Sequence, residues 1–245
     1  MSVHTTATVD VTVTAGPKSP GTVADWELFF ARRALNTLKS RLGEQVILDL
    51  LRSDFEASGK QFAAWAAASE DQWQPARTEL SVSGMTAEEF VTFFSSILTD
   101  VPKLLAAQPE HFATSMDERD GKHVMRVTEN LSRYISDFYI TMTGEDQAVD
   151  DLDPDYPVRM AGVVTLADGT VVGHMLHQFR DTVDGFDALV TIYFPVAAPE
   201  DFVEGHRQHL AVEFTNWFLE AADSLGRSTT SSVPLVVKGT EVFAG

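Results

Sequence analysis

Residues 78–94 read Thr78-Glu-Leu-Ser-Val-Ser-Gly-Met-Thr-Ala-Glu-Glu-Phe-Val-Thr-Phe-Phe94, a short alternating run closed by glycine and followed at once by an amphipathic pattern. Leu80 and Val82 alternate with polar residues, which is the period of a half-buried strand. Thr86 with Glu89 makes a capping box, each side chain satisfying a backbone N–H of the first helical turn. Phe90, Val91, Phe94 and Ile97 then recur near helical spacing. A strand therefore ends near Gly84 and a helix begins near Thr86.

Working outward, Val101-Pro102 opens a second short helix. Strands for three hairpins follow, marked by Asp120-Gly121, Asp168-Gly169 and Asp184-Gly185, dipeptides that permit the positive φ angles of tight turns. A long final helix is predicted from Pro199 to Leu225. Upstream, Trp26, Phe29, Phe30, Leu35, Leu38 and Leu42, then Val46, Ile47, Leu50 and Leu51, then Phe62, Trp65 and Ala66, predict two or three helices between Val23 and Pro75. The chain thus divides into a tail or edge strand at 1–21, where Val9, Val11 and Val13 alternate, a helical extension at 22–77, a ligand-binding domain at 78–227 and a C-terminal tail at 228–245. The Val-rich end of that last tail has the composition of an added strand.

This order of one strand, two short helices, about six strands and one long helix resembles the helix-grip fold of the START/Bet v 1-like (SRPBCC) superfamily. The resemblance implies an α+β architecture: a curved antiparallel sheet wrapped on a long C-terminal helix, with a ligand cavity between them, here preceded by a helical extension. A cavity implies a small hydrophobic or aromatic molecule as partner.

The 245 residues are 44% hydrophobic, ample for a core. With 36 acidic against 18 basic residues and a formal charge of −18, the chain has no net basic surface to offset phosphate repulsion. No nucleic acid and no anionic membrane is therefore expected as partner. The absence of cysteine excludes disulfides, thiolate nucleophiles and Cys-ligated zinc, so any metal must be held by His and carboxylates. Met1 to Pro20 contains neither a basic nor an apolar leader region, and no later run approaches a membrane span, which predicts a cytoplasmic protein. No Gly-rich nucleotide loop, nucleophile elbow or His-Glu-x-x-His is present. The acidic run Asp150 to Asp155 lacks the Gly and terminal Glu of an EF-hand and reads as a solvated loop.

Hairpin registers predict which side chains face inward, because cross-strand partners share a face. If Asp168-Gly169 is a two-residue turn, Ala167 opposes Thr170, His177 opposes Met160 and Phe179 opposes Val158. If Asp184-Gly185 is another, His177 opposes Ile192, Phe179 opposes Val190 and Met175 opposes Phe194. Both counts put His177 on the apolar face and turn His174 away. The Asp120-Gly121 turn sets Met125 opposite Met116, Val127 opposite Thr114 and Glu129 opposite Phe112, which brings a carboxylate onto an apolar face. Tyr134 and Phe138 lie on the matching face of the next strand. Candidate ligand-binding residues are thus Tyr134, Phe138, Met160, Met175, Phe179 and Phe194 from the sheet, with Leu210 and Trp217 from the last helix. His177 and Glu129 are the candidate catalytic groups in that apolar wall.

On the last helix Val203, Leu210, Phe214, Trp217 and Ala221 form the stripe that should face the sheet. His206 lies at its edge. His209 and Glu213 are four apart and so present a nitrogen and a carboxylate on one face, a spacing suited to a shared metal ion or proton. The segment His209-Leu-Ala-Val-Glu213-Phe-Thr-Asn216 resembles the His-x-x-x-Glu element on the last helix of the diacetylphloroglucinol and phloretin hydrolases. Those zinc enzymes cleave a carbon–carbon bond next to an acylated phenol, and carry a helical region before a Bet v 1-like domain. Their site uses two His and two Glu, the first His and Glu coming from the sheet in that order. The resemblance implies His209 and Glu213 as ligands of a divalent ion such as zinc, with His177 and Glu129 added from the register counts.

Three classes of function follow from these features: a carrier that needs only the cavity, an enzyme on that cavity acting as metal-dependent hydrolase or polyketide cyclase-like acid/base catalyst, and a partner-binding module or homodimer working through the N-terminal helices.

Overall fold

The computed structural model describes residues 11–16, 18, 21–119, 121–143, 149 and 151–229. The elements are α1 (Val23–Leu42), α2 (Glu44–Ala68), β1 (Trp73–Ser83), α3 (Ala87–Ile97), α4 (Val101–Ala107), β2 (His111–Arg119), β3 (Lys122–Leu131), β4 (Tyr134–Thr143), β5 (Val158–Thr165), β6 (Val171–Asp181), β7 (Gly185–Pro195) and α5 (Glu200–Ser224). The fold is α+β: seven antiparallel strands in the order β1-β7-β6-β5-β4-β3-β2, with α5 as the long C-terminal helix, consistent with a helix grip. Among the described residues no helix is long and apolar enough to cross a membrane.

The curvature follows from the contacts of α5, which packs against β1 and β7 on one side and β3 on the other. In a flat sheet β1 and β3 would lie roughly 24 Å apart, five strand spacings, about twice the width of a helix. The sheet therefore bends round α5. Phe202, Leu210, Phe214 and Ala221 of α5 are buried against it, and Trp217 packs between Phe94 of α3 and Phe214. The predicted capping box at Thr86 and Glu89 is present, and Arg227 beyond α5 grips the same Glu89 through two N–H donors at 2.9 and 2.6 Å.

The sequence-predicted hairpins hold their faces but not all their turns. At β5–β6 the loop has three residues, Leu166 N–H donating to Thr170 O, and a bulge at Val172 restores the predicted partners Met160 with His177 and Val158 with Phe179. At β6–β7 the turn is centred on Val183 and Asp184, so His177 opposes Val190, Phe179 opposes Ala188 and Met175 opposes Ile192. The slip is two residues and leaves every face unchanged. Gly185 is not there for a positive φ: it pairs with Ser83, and a Cβ on it would sit 1.9 Å from Val82 O. At β2–β3, Arg119 opposes Lys122 and Met116 opposes Met125 as expected, but the register shifts between His111 and Ala113. Glu129 consequently faces His111 rather than Phe112. Asp120 itself lies outside the described residues.

The N-terminal region forms two helices. Phe62 and Trp65 of α2 are buried against Tyr134, Phe138 and Phe202, whereas α1 contributes no buried residue. The strand after α2 begins at Trp73, five residues before Thr78. Val11 and Val13 are not in a strand, while Val9 and the Val-rich end of the chain lie outside the described residues.

Candidate metal centre and ligand cavity

Four side chains from two elements of the sheet and one helix meet beneath α5. His111 stands at the start of β2 and Glu129 on β3; His209 and Glu213 are one turn apart on α5. His111 Nε2 lies 3.1 Å from Glu129 Oε2 and 3.2 Å from Glu213 Oε1, and His209 Nε2 lies 3.2 Å from the same Glu129 oxygen. All four residues are buried. Ligand atoms of His111, Glu129 and His209 lie within 4.8 Å of one another, as a shared ion requires.

The outer nitrogens explain the orientation of the rings. His111 Nδ1 is 3.2 Å from the backbone carbonyl of Leu104, a contact that places the neutral ring's proton on Nδ1 and its lone pair on Nε2. That lone pair then points at two carboxylates, and Nε2 makes no hydrogen bond of acceptable geometry to either. Two anions facing a lone pair call for a cation between them, either a proton or a metal ion. His209 Nδ1 faces Glu110 Oε2 at 3.6 Å, and Glu110 Oε1 accepts from Asn130 Nδ2 at 3.1 Å. A carboxylate behind a histidine is the usual support of a metal ligand.

The segment that delivers His111 is fastened on both sides. Gln108 donates to His209 O at 3.1 Å, Asn216 donates to Ala107 O, and Lys39 of α1 donates to Pro109 O at 2.7 Å and to His111 O. Burial pushes the Lys39 ammonium down to about 8 against the pull of Glu110.

The metal-free charges are those of a tight ionic network. Burial opposes protonation of His111, yet Glu129 and Glu213 push it up to about 9; burial likewise opposes His209, yet Glu129 and Glu110 push it up to about 10. Burial alone would raise the Glu129 carboxyl, and the two imidazoles hold it well below the ordinary carboxylate range.

The cluster opens into a cavity of about 160 Å³ between α5, α3 and the sheet. Met160, Met175, Leu210 and Trp217 of the sequence-predicted ligand residues line it, as do His177, Glu129, His209 and Glu213. Tyr134 and Phe138 lie instead against α2, Phe179 against Phe90 and Phe186, and Phe194 against Phe202 and His206. His177 does not join the metal-ligand group. Its Nδ1 accepts from Thr191 N–H at 3.1 Å, which leaves the proton on Nε2, and burial pushes its pKa down to about 3. His174 points to the other face and meets Trp73 edge-on.

Two residues lining the cavity stand outside the sequence-derived candidate site: His111, and His206, which the sequence places only at the edge of the last-helix stripe. His111 was hidden by the bulge at Phe112. His206 lines the cavity, stacks on His209 and has no hydrogen-bond partner at either nitrogen; burial, aided by His209, pushes it down to about 3. No known protein family matches the chain, and neither does any curated protein.

Proposed function

We propose that this chain is a metal-dependent hydrolase of the START/Bet v 1-like type, with His111, Glu129, His209 and Glu213 holding a divalent ion, zinc in the first instance. The observation that carries the proposal is the His111 lone pair aimed at two buried carboxylates while its other nitrogen is committed to Leu104 O. Two imidazoles and two carboxylates without thiolates are a donor set suited to zinc. The order also agrees: His then Glu from the sheet, followed by His-x-x-x-Glu on the last helix, as in the diacetylphloroglucinol and phloretin hydrolases that the sequence resembles.

When bound, such an ion supplies Lewis acidity toward a carbonyl oxygen and lowers the pKa of water. The chain's own residues supply the rest. Met160, Met175, Phe214 and Trp217 exclude bulk water from the cavity, which strengthens every polar contact inside it. His177 stays neutral through the physiological range and offers an Nε2–H donor to an oxygen of the bound molecule. An apolar cavity of about 150 Å³ is known to take a benzene ring, so a single-ring acylated phenol is the substrate class of fitting size.

Elemental analysis of protein purified without chelator, together with hydrolysis of acylated phenols, tests the proposal. Near-stoichiometric zinc and activity abolished by His111→Ala support it. Protein lacking bound metal that still binds aromatic molecules would leave a carrier.

A homodimer is the assembly we propose, because α1 exposes Phe30 and Leu38, and α2 exposes Leu50 at 65%, more apolar surface than one protomer covers. Sedimentation of the full chain against a form lacking residues 1–42 checks this; the same number of protomers per particle in both would overturn it.

A further inference from the structure

Five of the seven methionines in the chain, Met116, Met125, Met142, Met160 and Met175, line this one cavity. They come from five consecutive strands of the sheet, β2 to β6, and share its inner face. Met116 pairs with Met125, which pairs with Ile140; Met142 pairs with Gly162, which pairs with Met175. Strands normally favour β-branched and aromatic residues, whose packing is well defined. A strand wall made of unbranched thioether side chains is a wall that can be reshaped by its contents.

The wall is also graded. Met160 and Met175 are buried, Met116 and Met125 are half-buried, and Met142 is 40% exposed, with exposed Ser95 of α3 also lining the cavity. Along β3 the inward residues run Glu129, Val127, Met125, so the mouth stands four residues from the metal cluster, roughly 13 Å by strand geometry. Gly162 keeps the lane open on the opposite strands: a Cβ there would lie 3.0 Å from Thr141 O and 3.3 Å from Met175 Cε.

We infer that the site fixes its ligand at one polar end and leaves the other end loosely specified, admitting unbranched apolar substituents over a range of lengths. The polar end rests on the metal-centre reading; the lane does not. The rigid end is set by buried, fastened histidines and carboxylates, and the adaptable end by methionines that change rotamer at little cost.

Calorimetry on the full-length protein tests this with two probe series. Zinc-loaded protein is titrated with straight-chain alkanehydroxamic acids of two to ten carbons, and chelator-treated protein with 1-alkanols of the same lengths. Affinity is expected to rise smoothly, by up to about fourfold per methylene, over a lane that holds roughly eight carbons, with no single preferred length. The Met116→Ile, Met125→Ile, Met142→Ile triple variant replaces the movable wall at the mouth by stiff β-branched side chains. It should keep its zinc and acquire an optimum, the longest probes binding at least about tenfold more weakly than the best one. A sharp optimum in the unmodified protein, or a triple variant with the same length profile, would overturn the inference. Hydroxamates binding no tighter than alkanols of equal length would defeat the metal-centre reading instead, and the alkanol series would still judge the lane. The corresponding Met→Leu triple variant, which keeps unbranched Cβ positions, controls for loss of folding and should retain the smooth profile.

Discussion

His111 and Glu129 face each other across β2 and β3 with Nε2 3.1 Å from Oε2, and they do so because the register shifts at Phe112. Without that extra residue Phe112 would occupy the inward place and the histidine would turn outward. The bulge therefore re-aims a side chain into a site, the common use of such irregularities. His111→Ala should lower zinc affinity by more than about a hundredfold, since a direct ligand matters at least as much as the supporting groups behind it. His123→Ala, on the exposed end of β3, should change nothing. Equal zinc content in the two variants would remove His111 from the site.

Glu110 stands behind His209 and is itself held by Asn130. Glu110→Gln keeps the shape and removes the charge that orients the imidazole. A loss of about tenfold to a hundredfold in zinc affinity is expected, read by competition with a chromogenic chelator. An unchanged constant would mean that the 3.6 Å separation carries no orienting effect.

The architecture was legible because its signals are local. The Thr86 capping box and the bounds of α5 follow from neighbouring residues. The faces of β5 to β7 hold although the β5–β6 loop is one residue longer than a two-residue turn and the β6–β7 turn sits one residue earlier. The first error is cancelled by a bulge and the second shifts the register by an even number. The site was half legible. His209 and Glu213 share a helix, where spacing alone brings them together. Glu129 faced inward on any even count. His111 did not, because Phe112, Thr114 and Met116 alternate as a regular strand would, and nothing local marks the shift. Chain order carries a partial signal: between α4 and Glu129 the histidines are His111 and His123, and a His-before-Glu pattern narrows the choice to these two. The aromatic candidates Tyr134, Phe138, Phe179 and Phe194 do not line the cavity; Tyr134 and Phe138 are claimed by α2, a long-range contact that periodicity does not contain.

That claim by α2 is testable. Phe62 is 3% exposed, with ring centroids 5.1 Å from Phe138 and 5.7 Å from Phe202. Phe62→Ala should cost about 3 to 5 kcal/mol in urea unfolding, the range for a large aromatic removed from a packed core. A midpoint equal to that of the parent protein would show α2 to be a detachable appendage.

Trp217→Ala should cost less, near the lower end at about 3 kcal/mol, because the ring already borders a cavity and its removal enlarges space that exists. Its Nε1–H has no partner among the described residues. Trp217→Phe should therefore be milder still in stability while weakening any ligand that accepts from that N–H. A Trp217→Ala midpoint shifted by less than Phe62→Ala, measured in the same buffer, is the expected ranking.

The pH dependence of stability separates a proton-filled site from a metal-filled one. An unperturbed imidazole titrates near 6.5, while His177 and His206 stay neutral in the folded protein down to about 3. Below 6.5 the unfolded chain therefore binds more protons than the folded one, and stability falls as the pH falls, by up to about 1.4 kcal/mol per unit for each group. Above 6.5 the imbalance reverses, because metal-free His111 and His209 keep their protons to about 9 and about 10. Their contribution is fully present below 6.5 and is lost as the pH rises through those values. Lys39 acts in the opposite sense, but only above about 8, where the folded amine is neutral and the unfolded one is still charged. Chelator-treated protein should thus be most stable near pH 6.5 and weaken most steeply toward pH 8. Zinc replaces the two protons in the folded state, and its affinity rises as the competing protons leave, so the loaded protein should lose the alkaline decline altogether. Urea midpoints collected from pH 5 to 9, with zinc and with chelator, give both curves. A metal-free midpoint that climbs between pH 6.5 and 8 would contradict the charge state assigned to His111 and His209.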